Sequence, residues 1–179
     1  MTAIVSKNGE LLKIINGSLD SIKLNTPSGC VVVEDPPASN MYYKDGWVAM
    51  PAQPTQHHIF NYDLKDWVDP RTLDEIKAQK WAEIKSGRDS LEFGGFEFEG
   101  NTYDSDQVSQ GRIMVAAVAG IDQVWTLADN TTAELSASQL QQLYAALQAH
   151  IANAHERGRI ARQLIFEAET KEQVEAINL

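Results

Sequence analysis

The sequence predicts an α+β protein in two parts, a β-rich N-terminal domain over residues 1–71 and an α-rich C-terminal domain over 72–179, on three observations. Short apolar runs broken by Asn-Gly, Asp-Gly and Pro-Pro fill the first part, the pattern of hairpins. From Leu73 the apolar spacing changes to three and four residues, with capping pairs at the predicted helix starts and one long run free of proline. The charge shifts at the same place: residues 1–71 carry 6 basic and 8 acidic groups, and residues 72–179 carry 9 and 17.

Ala3 to Ser6 reads as a first strand, Lys7-Asn8-Gly9 as its turn and Leu11 to Ile15 as its partner, followed by a second turn at Asn16-Gly17. Ile22 to Leu24 and Cys30 to Val33 read as two more strands. Asp35-Pro36-Pro37 and the polar run to Asn40 interrupt the pattern, because proline has no N–H for a central ladder. Tyr42 to Ala49 forms a hairpin around Asp45-Gly46, where glycine supplies the positive φ of a tight turn. Pro51 to Gln56 is a semi-rigid proline-rich connector laid across a surface. Ile59 to Val68 then resumes a β-like, aromatic-rich segment containing Trp67.

Thr72 with Glu75 forms a capping box, which starts a helix over Leu73 to about Ser86, ended by Gly87. Phe93, Phe96 and Phe98 around Gly94-Gly95, with a turn at Gly100-Asn101 into Tyr103, make a short hairpin. Asp104 or Ser105 caps a helix running to about Ala119, weakened by Gly111. Val124 to Leu127 and Thr131 to Leu135 form a third hairpin with Trp125 on its buried face. Ser136 with Gln139 opens the final long helix, from Ala137 to about Glu167, about 46 Å at about 1.5 Å per residue. Leu140, Tyr144, Leu147, Ile151, Ala154, Gly158, Ala161 and Ile165 alternate spacings of four and three, a heptad seam. Such a seam serves either a self-associating bundle or packing on the two preceding helices of the same chain, and its small middle residues ask for close approach by another helix. Thr170 with Gln173 starts a last short helix, in which Val174 and Ile177 fold back on the long one.

Composition narrows the function classes. A net charge of −10 repels nucleic acid and anionic membranes, and Arg157, Arg159 and Arg162 are interleaved with Glu156 and Glu167 as on a solvated helix face. Nucleic acid is therefore not an expected partner, and no apolar run of 18 residues suits membrane insertion. Cys30 is the only cysteine, which excludes an internal disulfide. The expected place of synthesis is a cytosol.

No chemistry is predicted. His57 and His58 are adjacent and point apart, and His150 and His155 are five residues apart rather than the four that stack on one helix face. The Asp104-x-Asp106 spacing suggests cation binding, but Asp104 and Ser105 already have a helix-capping role, while Glu97 and Glu99 alternate with Phe96 and Phe98 as on the wet face of a strand. No constellation joins an acid, a base and an oriented partner, so no enzymatic activity, metal or cofactor is expected.

The motif order YYKDG, two spaced prolines, WVDPRTL and KAQKWAEIKSGRD, followed by FEFEGNTYDSDQVSQGRI and VWTLADNTTAEL, covers roughly the last three-quarters of the chain. It resembles small bacteriophage proteins encoded beside tail fibres, in which this block leads into a C-terminal domain of uncharacterised function. The resemblance implies a structural component of a phage tail, associated with the tail fibre or baseplate, made in the cytoplasm of the infected host bacterium and carried in the virion. The alternative it leaves is a tail fibre assembly chaperone left out of the virion, since both kinds share the block, although the capped C-terminal domain resembles virion-associated proteins more. A third reading, drawn from the aromatic segment, is a receptor- or glycan-binding accessory. The implied partners are tail fibre or baseplate proteins, and the heptad seam adds a second copy of the chain as an expected partner. Tyr42, Tyr43, Trp47, Phe60 and Trp67 are the residues expected to bind a partner, against the plainer reading in which they and Tyr62 form a small aromatic core.

Overall fold

The computed structural model describes residues 1–179 and has the α+β architecture. The chain forms two compact units, Met1–Arg71 and Thr72–Leu179.

In the first unit β1 (Thr2–Val5) is the centre of a three-stranded antiparallel sheet in the order β2-β1-β3, with β2 at Leu11–Ile15 and β3 at Val31–Glu34. Ala3, Ile4 and Val5 are buried there, and a bulge between Ile4 and Val5 shifts the register against β2. The segment read as a strand at Ile22 to Leu24 is instead the end of a helix, α1 (Leu19–Leu24). Ser18 decides this: its hydroxyl accepts from the Ser21 N–H at 3.3 Å as an N-cap, and Ile22 is the one residue of the helix that is buried. Two hairpins complete the unit, β4 (Met41–Tyr43) with β5 (Trp47–Ala49), and β6 (Ile59–Asn61) with β7 (Asp66–Val68). The second hairpin replaces the single segment expected over Ile59 to Val68. Asn61 causes the turn, its Oδ1 accepting from the N–H groups of Asp63 at 2.9 Å and Leu64 at 3.0 Å, with Lys65 at φ 60°.

The second unit is built on α2 (Leu73–Phe93), α3 (Gln107–Ala119) and α4 (Ala137–Glu167). Two hairpins join them, β8 (Phe96–Phe98) with β9 (Asn101–Tyr103), and β10 (Gln123–Thr126) with β11 (Thr132–Leu135), and α5 (Lys171–Glu175) follows. The capping boxes at Thr72, Ser136 and Thr170 are all formed. α2 runs through Gly87 and stops at Gly94, two turns later than expected. Gly87 lies inside the helix, where a Cβ would make only an ordinary contact with Leu179 Cδ2 at 3.4 Å. The cap of α3 is Asp106, not Asp104 or Ser105: its carboxylate accepts from the N–H groups of Val108 at 2.9 Å and Ser109 at 3.3 Å. Ser105 is buried and serves elsewhere, donating to Glu92 O at 2.6 Å and accepting from Gly95 N–H at 2.9 Å, which fixes the bend between α2 and β8.

One core cluster gathers Phe96, Tyr103, Ile113, Ala116, Leu127, Leu135, Leu140, Leu143 and Leu147, with Trp125 packed against it. Two smaller clusters continue it along α4: Ile84, Ala161, Ile165 and Ile177, then Ile76, Ala168 and Val174.

Candidate functional site

The partner-binding residues expected from the sequence come together in the first unit. Cross-strand register sets Tyr43 opposite Trp47 and Phe60 opposite Trp67. Phe60 is the hub, with ring centroids 5.3 Å from Tyr42, 5.1 Å from Tyr62 and 5.4 Å from Trp67; the last two pairs are edge-to-face. Tyr43 and Trp47 form a separate edge-to-face pair at 5.4 Å. All six rings are half-buried, so the cluster is both a local packing unit and a surface.

Its edges are pinned by polar contacts. Trp47 Nε1 donates to Glu34 O at 2.8 Å, and Trp67 Nε1 donates to Pro51 O at 2.8 Å, which holds the start of the proline-rich connector. Lys65 Nζ lies 5.3 Å from the centroid of the Tyr42 ring and donates to Tyr62 O at 2.6 Å and to Asn8 O. The turn at Asn8-Gly9 thereby reaches the hairpins: Tyr43 N–H donates to Gly9 O at 3.0 Å, and a Cβ on Gly9, whose φ is +85°, would lie 2.1 Å from Tyr43 O. Burial, and after it the negative charge of Glu10, pushes the Tyr62 phenol up from its ordinary value. Lys65 has no part in the sequence reading, and Tyr62 enters it as a member of the aromatic core rather than as a partner-binding residue. The signal for both was the Asn61 turn, which folds the segment back and brings its far half under Tyr42.

The heptad stripe of α4 has the other of its two expected uses. Leu140, Leu147, Ala154, Gly158, Ala161 and Ile165 are buried, and Tyr144 and Ile151 half-buried, inside the chain's own second unit. The close approach demanded by the small residues comes from α2, because a Cβ on Gly158 would meet Arg88 Cδ at 3.3 Å. These eight side chains are therefore not a free oligomer seam. The correction is physical: a stripe that loses its solvent within one chain has nothing left to offer a second.

Most of the titratable side chains singled out from the sequence have structural partners. His150 donates from Nε2 to Leu91 O at 2.8 Å and stacks on Phe96 at 5.7 Å, and His155 Nε2 lies 3.0 Å from Glu92 Oε2, so both histidines hold the end of α2 to α4. His57 and His58 are engaged in the connector through Thr55, whose Oγ1 accepts from His57 N–H at 3.2 Å and lies 2.8 Å from His58 Nδ1. Glu97 is exposed on β8, whereas Glu99 sits in the hairpin turn at φ 46° rather than on the strand and accepts from Gln139 Nε2 at 3.0 Å. The three clustered arginines are each engaged: Arg157 with Leu179 O at 2.6 Å, Arg159 with Glu156, and Arg162 over the Trp81 ring at 5.4 Å. No group of three His, Cys, Asp or Glu residues is placed to hold a metal ion, and no helix is long and apolar enough to cross a membrane.

Together these features define a two-unit α+β protein with an aromatic surface on one unit and a three-helix core in the other. By its second unit the chain belongs to the family described as domain of unknown function DUF4376, whose model matches residues 75–178. No curated protein and no solved structure matches the chain.

Proposed function

We propose that this chain is a structural component of a bacteriophage tail, associated with the tail fibre or baseplate, and that it acts by docking the aromatic surface of its first unit onto a partner protein. The observation that carries the reading is the fate of the YYKDG to WVDPRTL block, whose order resembles that of tail-fibre-associated phage proteins. That block forms the two hairpins whose rings stay half-exposed, Tyr42, Tyr62 and Trp67 around Phe60 and Tyr43 with Trp47 as a second pair. Aromatic side chains held by one another on short hairpins give a partner large contact area at small cost in conformational entropy. The reading places synthesis in the cytoplasm of the infected bacterium and the mature protein in the virion tail.

Capture of co-expressed tail fibre and baseplate proteins by the tagged full chain tests the docking. Wild type should retain one of them, and Tyr42→Ala with Tyr43→Ala should weaken capture at least tenfold while far-UV circular dichroism stays unchanged. Capture unaffected by the double change would overturn the aromatic surface as the docking site. No capture, together with binding of oligosaccharide to the same rings, would turn the reading toward a glycan-binding accessory.

A further inference from the structure

α3 is apolar on two faces. Ile113, Ala116 and Ala117 go into the core, while the opposite face presents Val108, Met114, Val115 and Val118, which are 61%, 46%, 64% and 81% exposed. Arg112 is the only charged residue in the helix, in a chain where 22% of residues are charged. A helix with apolar residues on two opposite faces is the pattern of one covered on both sides. The outer face continues into Ile121 and Val124, also exposed, and borders a groove of about 570 Å³ that Val108, Val115 and Trp125 help to line.

Gly111 stands in the middle of that face. A Cβ built on it would meet nothing, so no neighbour within the chain explains a residue that weakens a helix relative to alanine. Its missing side chain leaves a notch one turn from Val115, on the same side of the helix.

We infer that the outer face of α3 is covered by α3 of a second copy of this chain, the two helices crossing antiparallel with each Val115 seated in the Gly111 notch of the other. The face is complementary to itself. A two-fold axis at the level of Ile113 sets Gly111 opposite Val115 and Val108 opposite Val118, so ridge and notch match with no other protein present. Charge selects the same place: a chain of net charge −10 repels its own copies, and this helix face carries no acidic group. The exposed apolar area is on the order of several hundred Å² per copy, which puts a symmetric pair near the roughly 1,200 Å² at which specific interfaces begin. The pairing stands whether or not the chain belongs to a phage tail.

Sedimentation equilibrium of the full chain tests it. Wild type should be a reversible dimer. Val115→Asp should be monomeric with an unchanged far-UV spectrum, since the side chain is exposed in a single copy. Gly111→Leu, which fills the notch, should raise the dissociation constant at least tenfold without lowering the thermal midpoint of the single copy. A wild type that stays monomeric at every accessible concentration overturns the inference. So does a trimer, or a dimer that both substitutions leave intact.

Discussion

In the second unit Tyr103, Ile113, Leu140, Leu143 and Leu147 lose all contact with solvent and form one continuous cluster, whereas the first unit buries only the side chains of Ala3, Ile4, Val5 and Ile22 and leaves its largest rings half-exposed. The second is ordered by side-chain burial, each large group contributing about 1.5–3 kcal/mol. The first is ordered by backbone pairing, by indole N–H groups on carbonyls and by edge-to-face rings, each worth on the order of 1 kcal/mol. A unit stabilised in this second way keeps apolar area at its surface, which is what a docking element needs. A unit with a closed core can carry long-range order but has little to offer a partner except where, as on α3, a second apolar face stays open.

Substitutions at matched positions break or sharpen that contrast. The largest effect belongs to the closed core: Leu147→Ala should cost about 2–5 kcal/mol in denaturant unfolding, against a change within about 0.5 kcal/mol for the exposed Phe166→Ala on the same helix. Equal effects would mean that α4 is not internal. Next comes the first unit's tightest approach, where Gly9→Ala should cost about 1–3 kcal/mol, through both the positive φ and the clash with Tyr43 O, and should loosen the hairpins in hydrogen exchange. Tyr103→Phe should raise stability by about 1 kcal/mol, because the buried hydroxyl has no hydrogen-bond partner in the chain. Ser136→Ala should cost about 1 kcal/mol through loss of the α4 capping box. The smallest effect is a pH effect. The Ser109 hydroxyl, and then backbone N–H groups, hold the Asp106 carboxyl below its ordinary value of 3.8. Because the folded state depresses this pKa, the cap's contribution is whole above that value and fades as pH falls through the lower folded one. Exchange at the first turn of α3 should therefore quicken only in strong acid, and Asp106→Asn should remove that dependence.

The long-range order of the second unit was legible because its signals are local and redundant: capping boxes at Thr72, Ser136 and Thr170 and the turn at Asp129-Asn130 each state a boundary in a few residues. Errors fell where a residue's role depends on something distant in sequence. Gly87 reads as a helix end although α2 runs on to Phe93, and Ser105 reads as a cap until Glu92 O claims its hydroxyl. The Ile22 strand was a misreading of periodicity in a segment too short to show any, with Ser18 as the overlooked cap. The aromatic residues could be named from the sequence, but their grouping around Phe60 could not, since it needs the Asn61 turn and the cation of Lys65 beneath Tyr42. The α4 stripe had the right spacing, yet spacing alone does not say whether the covering helix comes from the same chain.

The most direct test of the tail reading is quantitative mass spectrometry of purified mature phage particles, scaled to a known tail protein. The account predicts this protein in the particle at a fixed copy number, a symmetric multiple shared with the fibre or baseplate. Absence from particles, with the chain bound to fibre protein in the lysate instead, would contradict it and make the protein an assembly chaperone.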